Sequence, residues 1–254
     1  MVLVYDGTYE GFLSAVFEAY ALHIAGSAMI STEPPLDQWR EVRSDRTRAD
    51  RVTRKLAELR MAEPVFDAWL SREQGIENDL LAVIAMGLKD GYSPMRFLCE
   101  ESVKRVSAAA HKVSCEAYHF LQFTRFVRAE SVHEPTLKAA GTVAPGLYVA
   151  DIEPQYDILP RLGGHFAKRF QDQFFVIRDL RRSEALVYDT ERWQLVNSPE
   201  LMALPLPEDS EFEHLWRRYF DSVAIPWRRN KKLQQQFVPQ KYRTHMTEFQ
   251  PRRA

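Results

Sequence analysis

The first twenty residues change hydrophobic period once. Residues 2–5 (VLVY) are a short β-prone run closed by the turn pair Asp6 and Gly7. Thr8 can then cap a helix, and Phe12, Leu13, Val16, Phe17 and Tyr20 follow at helical spacing. A strand that enters a helix so near the start is expected to pair with a sheet formed later. Residues 31–37 contain Glu-Pro-Pro and read as a loop. From Thr47 to about Arg128 the pattern is nearly all helical. Thr47 with Asp50 resembles a capping box ahead of the stripe Val52, Leu56 and Leu59. Pro64 suits the first turn of a second helix, with Phe66, Trp69 and Leu70 on its apolar side. Residues 79–88 predict a third, ended by Lys89, Asp90 and Gly91, and Pro94 opens a long segment through Val103, Val106, Val113, Tyr118 and Phe126.

The pattern changes after residues 131–146, which read as a loop or linker. Residues 147–152 read as a strand, and residues 158–170 as a helix with Leu159, Leu162, Phe166 and Phe170 on one side. Residues 174–178 and 185–188 are β-prone runs around a hairpin-like connection at 179–183, and residues 193–196 add a short strand. Residues 197–209 are Pro-rich and acidic, a loop, and residues 211–223 predict a helix with Phe212, Leu215, Tyr219 and Phe220 inward. No internal repeat is found. The order predicts an α+β protein: a helical bundle, then a small, mainly antiparallel sheet with flanking helices, the N-terminal strand joining that sheet. Residues 1–254 are expected to form a single domain. It would comprise a mainly helical subregion at 31–130 and a strand-and-helix subregion at 147–254 ending in a basic tail.

Composition narrows the function classes. The chain has 254 residues, is 45% hydrophobic, and carries 34 Lys and Arg against 35 Asp and Glu, a formal net charge of −1. With no global positive field, any polyanion site must be a local patch. Two cysteines, Cys99 and Cys115, are too few for a disulfide framework or a cysteine-ligated iron–sulfur cluster. No run reaches the roughly 20 apolar residues that span a bilayer, and the start lacks a signal-peptide pattern, so a cytoplasmic protein without a membrane partner is expected.

No phosphate loop, nucleophile elbow, HExxH, paired CxxC or zinc-deaminase signature occurs, so no metal or cofactor is expected. Glu116 and His119 lie one helical turn apart and read as half a metal site or as a hydrogen-bonded pair. Four stretches carry the remaining chemistry. The first runs from Pro226 to Arg243 and holds Trp227, Arg228, Arg229, Asn230, Lys231, Lys232 and Tyr242, with six basic residues and no acidic one. Cations interleaved with rings and amides suit a nucleic-acid strand; a solvated tail, or one folded through Phe237 and Tyr242, fits equally. The second, residues 117–128, places Tyr118, Gln122 and Arg125 on one helix side and Phe120 and Phe123 toward another. In the third, His165 and Arg169 stack at i, i+4 beside Lys168, to bind a phosphate or move a proton, or His165 satisfies a backbone carbonyl. The fourth gathers Arg178, Asp179, Arg181 and Arg182 at a strand end, as an anion pocket or a structural Arg–Asp pair. The Arg-rich stretch 40–60 is interspersed with acids and reads as a solvated, ion-paired helix.

Several strings resemble, in order, those of a bacterial family described as "probable DNA metabolism protein", a domain of unknown function. They are YDGTYEGFLSAVFEAY at 5–20, KVSCEAYHFLQFTRF at 112–126, IEPQYDILP at 152–160, HFAKRF at 165–170, IRD at 177–179, LWRRYF at 215–220 and RRNKKLQ at 228–234. The resemblance implies a role in DNA repair or modification. Genes of that family sit beside a DNA-modification or repair radical-SAM protein, and in some fusions the domain precedes a uracil-DNA glycosylase-type domain. This sequence departs from the family pattern at Tyr118 and His119, at Lys231 and Lys232, and at Arg243.

Together these readings lead to the expectation of a DNA-binding accessory protein acting with a radical-SAM or glycosylase-type partner. Arg125, Arg169, Arg178, Arg228, Arg229, Lys231 and Lys232 would contact phosphates, helped by Asn230, and Trp227 or Tyr242 would stack on bases. Two alternatives stand beside it. One is an enzyme on damaged DNA with His165 as acid or base and Asp179 or Glu116 as its partner. The other is a protein–protein adaptor anchored by Trp216 or Trp227.

Overall fold

Two sheets of different construction organise the chain. The computed structural model describes residues 1–36, 38–97, 99–129, 146–204, 211–223 and 230–249. The chain divides into two units, residues 1–115 and 116–254, and the division falls inside a long helix, not in the stretch 131–146.

In the first unit, β1 (Val2–Val4) leads into α1 (Tyr9–Ala21), β2 (Met29–Ser31) and β3 (Trp39–Glu41). Then come α2 (Arg46–Glu58), α3 (Ala62–Leu70), α4 (Ile76–Asp90) and a 3-10 turn at Pro94–Arg96 before α5 (Glu101–Phe123). Thr8 caps α1 as its position predicts, its hydroxyl accepting from the Gly11 N–H at 2.9 Å. β1 lies between β2 and β3, parallel to both. This corrects the expectation that the N-terminal strand joins the later sheet. Helix α1 returns the chain alongside β1, so a local parallel crossover supplies the partner first. Neither neighbour is visible in the hydrophobic pattern: β3 reads Trp-Arg-Glu and is exposed at every position. Leu3, Phe12, Leu13, Ile30, Leu56, Met61, Leu70 and Leu80 are fully buried and form the core of this unit. The cap of α2 is Asp45, accepting from the Arg48 N–H at 3.1 Å, two residues before the expected Thr47. Asp45 is also fixed from outside its helix, its own N–H donating to Ser14 Oγ at 3.0 Å. Helix α4 ends at Gly91 as expected, with the left-handed φ of 75° that a glycine adopts without strain.

The second unit starts with the last turns of α5 and continues through β4 (Val127–Arg128), β5 (Leu147–Ile152), α6 (Leu159–Arg169), β6 (Phe174–Asp179), β7 (Glu184–Tyr188) and β8 (Trp193–Val196). Helices α7 (Pro199–Met202), α8 (Glu211–Val223) and α9 (Lys231–Phe237) follow, with 3-10 turns at Gln240–Tyr242 and Thr247–Phe249. The sheet order is β4-β5-β6-β7-β8, antiparallel except for the parallel β5–β6 pair, which α6 connects. Mixed helices and strands of this kind make the protein α+β, as the sequence order predicts. Helix α6 buries Leu159, Leu162, Gly163 and Phe166. A Cβ at Gly163 would come within 2.5 Å of the Trp193 ring, so glycine lets α6 lie directly on β8. Phe175 is wholly buried beneath Phe126, Phe166 and Tyr188.

Two expectations change here. Leu215 and Tyr219 are not inward but 54% and 58% exposed, while Trp216 on the same helix is half-buried. Residues 197–209 include the short helix α7, capped by Ser198. On α5, Val103, Val106, Val113 and Phe120 are buried, while Tyr118, 62% exposed, and Gln122 share the solvent side, as their spacing predicts. The expected linker falls almost wholly outside the described residues, as do the side chains of Phe212 and Phe220. Among the described residues no helix is long and apolar enough to cross a membrane.

Candidate functional site

Among the described residues of the second unit, a dense polar network gathers on the loop that leaves β5. Because β5 and β6 are parallel, their carboxyl ends lie side by side, and the corner after β6 can reach the loop after β5. Asp179, at the end of β6, is wholly buried and accepts from the backbone N–H groups of Arg181 and Arg182 at 2.9 and 3.2 Å. Arg182 donates to Asp179 Oδ2 at 2.9 Å, to the Pro154 carbonyl at 3.2 Å and to the Gln155 carbonyl at 2.7 Å. Burial raises the Asp179 pKa, and the Arg182 pairing offsets only part of that. Ser183 completes the corner with a positive φ of 55°.

From the other side, Glu116 of α5 holds the same loop. It is 3% exposed, and its Oε2 accepts from the Tyr156 N–H at 2.8 Å while Oε1 accepts from Lys241 Nζ at 3.1 Å. Burial pulls the Lys241 pKa down, but bonds with Tyr242 and Glu116 outweigh it and hold the ammonium above its ordinary value. His245 contacts Glu153 at 2.9 Å. One turn after Glu116, the His119 ring stacks on Tyr242 with centroids 5.0 Å apart, and the Tyr242 hydroxyl lies 3.5 Å from His119 Nδ1. Glu116 and His119 therefore face different partners and do not form half a metal site. Among the described residues no three His, Cys, Asp or Glu side chains gather as a metal site would require.

The expected site residues that fall within the described stretches have these places. Arg178 is only 4% exposed: Nε and Nη2 grip Asp151 at 2.5 and 2.8 Å, and Nη1 donates to the carbonyls of Leu201, Met202 and Leu204. A guanidinium buried against its carboxylate in this way is not open to a phosphate. Tyr242 is 6% exposed, packed against His119, Phe120 and Phe123, so its faces are not open to a base. Arg125 donates to Glu248 at 2.8 Å, and Trp216 Nε1 donates to the other Glu248 oxygen at 3.3 Å. His165, Lys168 and Arg169 are exposed on α6, and the His165 ring meets the edge of Phe166 at 5.2 Å. Asn230 caps α9, accepting from the Leu233 N–H at 3.0 Å, and Lys232 is exposed on that helix. Trp227, Arg228 and Arg229 lie outside the described residues, as does the side chain of Lys231.

The three expected catalytic groups are not drawn into one constellation. Glu116 and Asp179 each hold partners of their own, and neither is His165. Sequence reasoning misses Asp151, Tyr156, Arg182 as a loop clamp, and Lys241, because each acts through a residue remote in sequence. The one available signal, for Asp151, Tyr156 and Arg182, is their position inside or close to the strings at 152–160 and 177–179.

The first unit has a cleft of about 250 Å³, lined by Glu18, Arg40, Arg43, Ser44, Asp45 and Arg48 among others. Its buried Glu18 carboxylate already joins Arg40 at 2.7 Å and Arg48 at 2.9 Å.

Residues 74–248 match a family described as a domain of unknown function, DUF4130. The match includes every residue of the polar network and leaves out β1 to α3. No curated protein and no solved structure matches the chain.

Proposed function

We propose, from the premise that this chain belongs to the DUF4130 family of domains of unknown function, that it is a DNA-binding accessory protein in DNA repair or modification. The observation that carries this reading is the unbalanced charge of the C-terminal stretch. From Pro226 onward the sequence holds Arg228, Arg229, Lys231, Lys232, Lys241, Arg243, Arg252 and Arg253 against a single acid, Glu248. That one carboxylate is buried and already satisfied by Arg125 and Trp216. Of the cations, Lys241 is engaged with Glu116, and Arg243 bonds the Val238 carbonyl while lying over the Phe249 ring. Arg228, Arg229, Lys231 and Lys232 stand in a run, residues 222–247, that holds no acid. Such a segment on a chain of net charge −1 is a local polyanion site, since released counterions drive the binding. Exposed Lys168 and Arg169 on α6 add cations to the same unit. The resemblance to a DNA-metabolism family supports DNA as the polyanion and a radical-SAM or glycosylase-type protein as the partner.

Fluorescence anisotropy of the full chain with labelled DNA across a salt series tests this. Affinity is expected to fall steeply with salt. Replacing Arg228, Arg229, Lys231 and Lys232 by Ala should flatten the slope by about 0.7 to 0.9 for each phosphate no longer neutralised. A folded protein that binds no DNA, or binds it with no salt dependence, would overturn the proposal.

A further inference from the structure

Two helices of the second unit turn aromatic rings to solvent beside cations. Phe237 is 69% exposed at the end of α9, and Tyr219 is 58% exposed on α8. Arg218 precedes Tyr219 and is itself exposed; exposed Lys232 and the exposed amides Gln234, Gln235 and Gln236 share α9 with Phe237. A single exposed ring needs no explanation. Here the amphipathic pattern of α8 predicts Tyr219 inward, and the structure turns it out. On α9 a phenylalanine is left in water within the most basic stretch of the sequence.

We infer that α8 and α9 bind single-stranded DNA, with Tyr219 and Phe237 stacking on unpaired bases. The inference rests on the DNA-binding reading above and names the form of DNA. Ring stacking needs a free base face, and in a duplex both faces of each base are covered by its neighbours. Cations alone would serve either form; cations interleaved with exposed rings and amides suit a single strand. Leu215 and Val223 are also exposed on α8 and fit a protein partner as well. Helix α8 carries Glu211, Glu213 and Asp221 against Arg217 and Arg218, so it is the charge surplus of α9 and the stretch after Pro226 that favours a polyanion over a protein surface.

The test compares an oligo(dT) strand with a duplex of the same length, for the wild-type chain, Tyr219→Ala, Phe237→Ala and Phe237→Trp. The single strand is expected to bind more tightly. Each alanine variant should weaken single-strand binding roughly 5- to 100-fold and leave the salt slope unchanged, while Phe237→Trp retains affinity. Single-strand affinity that is indifferent to both rings, or a preference for duplex, overturns this inference and leaves the DNA-binding function standing. Binding of neither form overturns both. Should an alanine variant lose its helical signal, photo-crosslinking of the wild-type chain to oligo(dT) decides. Adducts at Tyr219 or Phe237 uphold the inference, and adducts only elsewhere overturn it.

Discussion

Arg178 and Arg182 at the β6–β7 corner look, in sequence, much like Lys168 and Arg169 on α6 or Lys232 on α9. The structure treats the two groups in opposite ways. At the corner each guanidinium meets a carboxylate and backbone carbonyls, and Arg178 is buried with them. On α6 and α9 the cations stand in solvent. Acids decide the matter: Asp151 and Asp179 sit on the paired strands β5 and β6, whereas the C-terminal stretch has only Glu248, which is occupied. An arginine cluster is thus a structural clamp where the fold supplies acceptors and a candidate polyanion site where it does not.

The largest effect should come from removing the corner's buried cation. Arg178→Ala leaves Asp151 without its partner and takes one donor from three carbonyls, a loss of about 3–5 kcal/mol of stability in urea unfolding. Lys168→Ala with Arg169→Ala should change stability by no more than about 0.5 kcal/mol while reducing the salt slope of DNA binding. If the α6 pair proved the more destabilising change, the distinction between structural clamp and polyanion site would collapse.

A smaller loss is expected where an acid, not a cation, is the clamp. Glu116→Ala strands the Tyr156 N–H and should cost about 1–3 kcal/mol. Glu116→Gln keeps an acceptor for that N–H and gives up only the half-exposed Lys241 pair, so its cost should be well below that of the alanine variant. Equal losses for the two would show that charge, and not the hydrogen bond to the loop, holds residue 156.

The smallest effect is in pH dependence, and it has opposite sign in the two units. Asp179 has a pKa raised by burial, so the folded state binds its proton more readily than the unfolded chain. Its contribution is greatest below the ordinary Asp pKa of 3.8 and is lost as pH rises through the raised value. The wild-type chain should therefore lose stability relative to Asp179→Asn as pH rises through that interval. Asp6 is the reverse. Burial pushes its pKa up, but bonds from Ser44 and Thr8 outweigh this and hold it below 3.8, so its contribution is present above that value and lost on acidification below it. Stability differences from Asp6→Asn and Asp179→Asn, followed from neutral pH into acid, should diverge. Parallel curves would show that the two carboxylates do not sit in the environments described.

Much of this architecture is legible in the pattern of the chain. The helix begun at Thr8, the stop at Gly91, strand 147–152 and helix 211–223 follow from apolar period and local turn chemistry, which act between neighbours a few residues apart. What the sequence by itself determined was the α+β class, the main helices and strands, and the charge surplus after Pro226. Tertiary structure alone decided that β1 is the middle of its own parallel sheet, that Arg178 and Tyr242 are spent inside the fold, and that Tyr219 faces water. The reason is physical: a strand's partner, an arginine's acceptor and a ring's cover are supplied by residues distant in sequence. Asp151 lies 27 residues from Arg178, and His119 lies 123 from Tyr242, so no local pattern records either pairing.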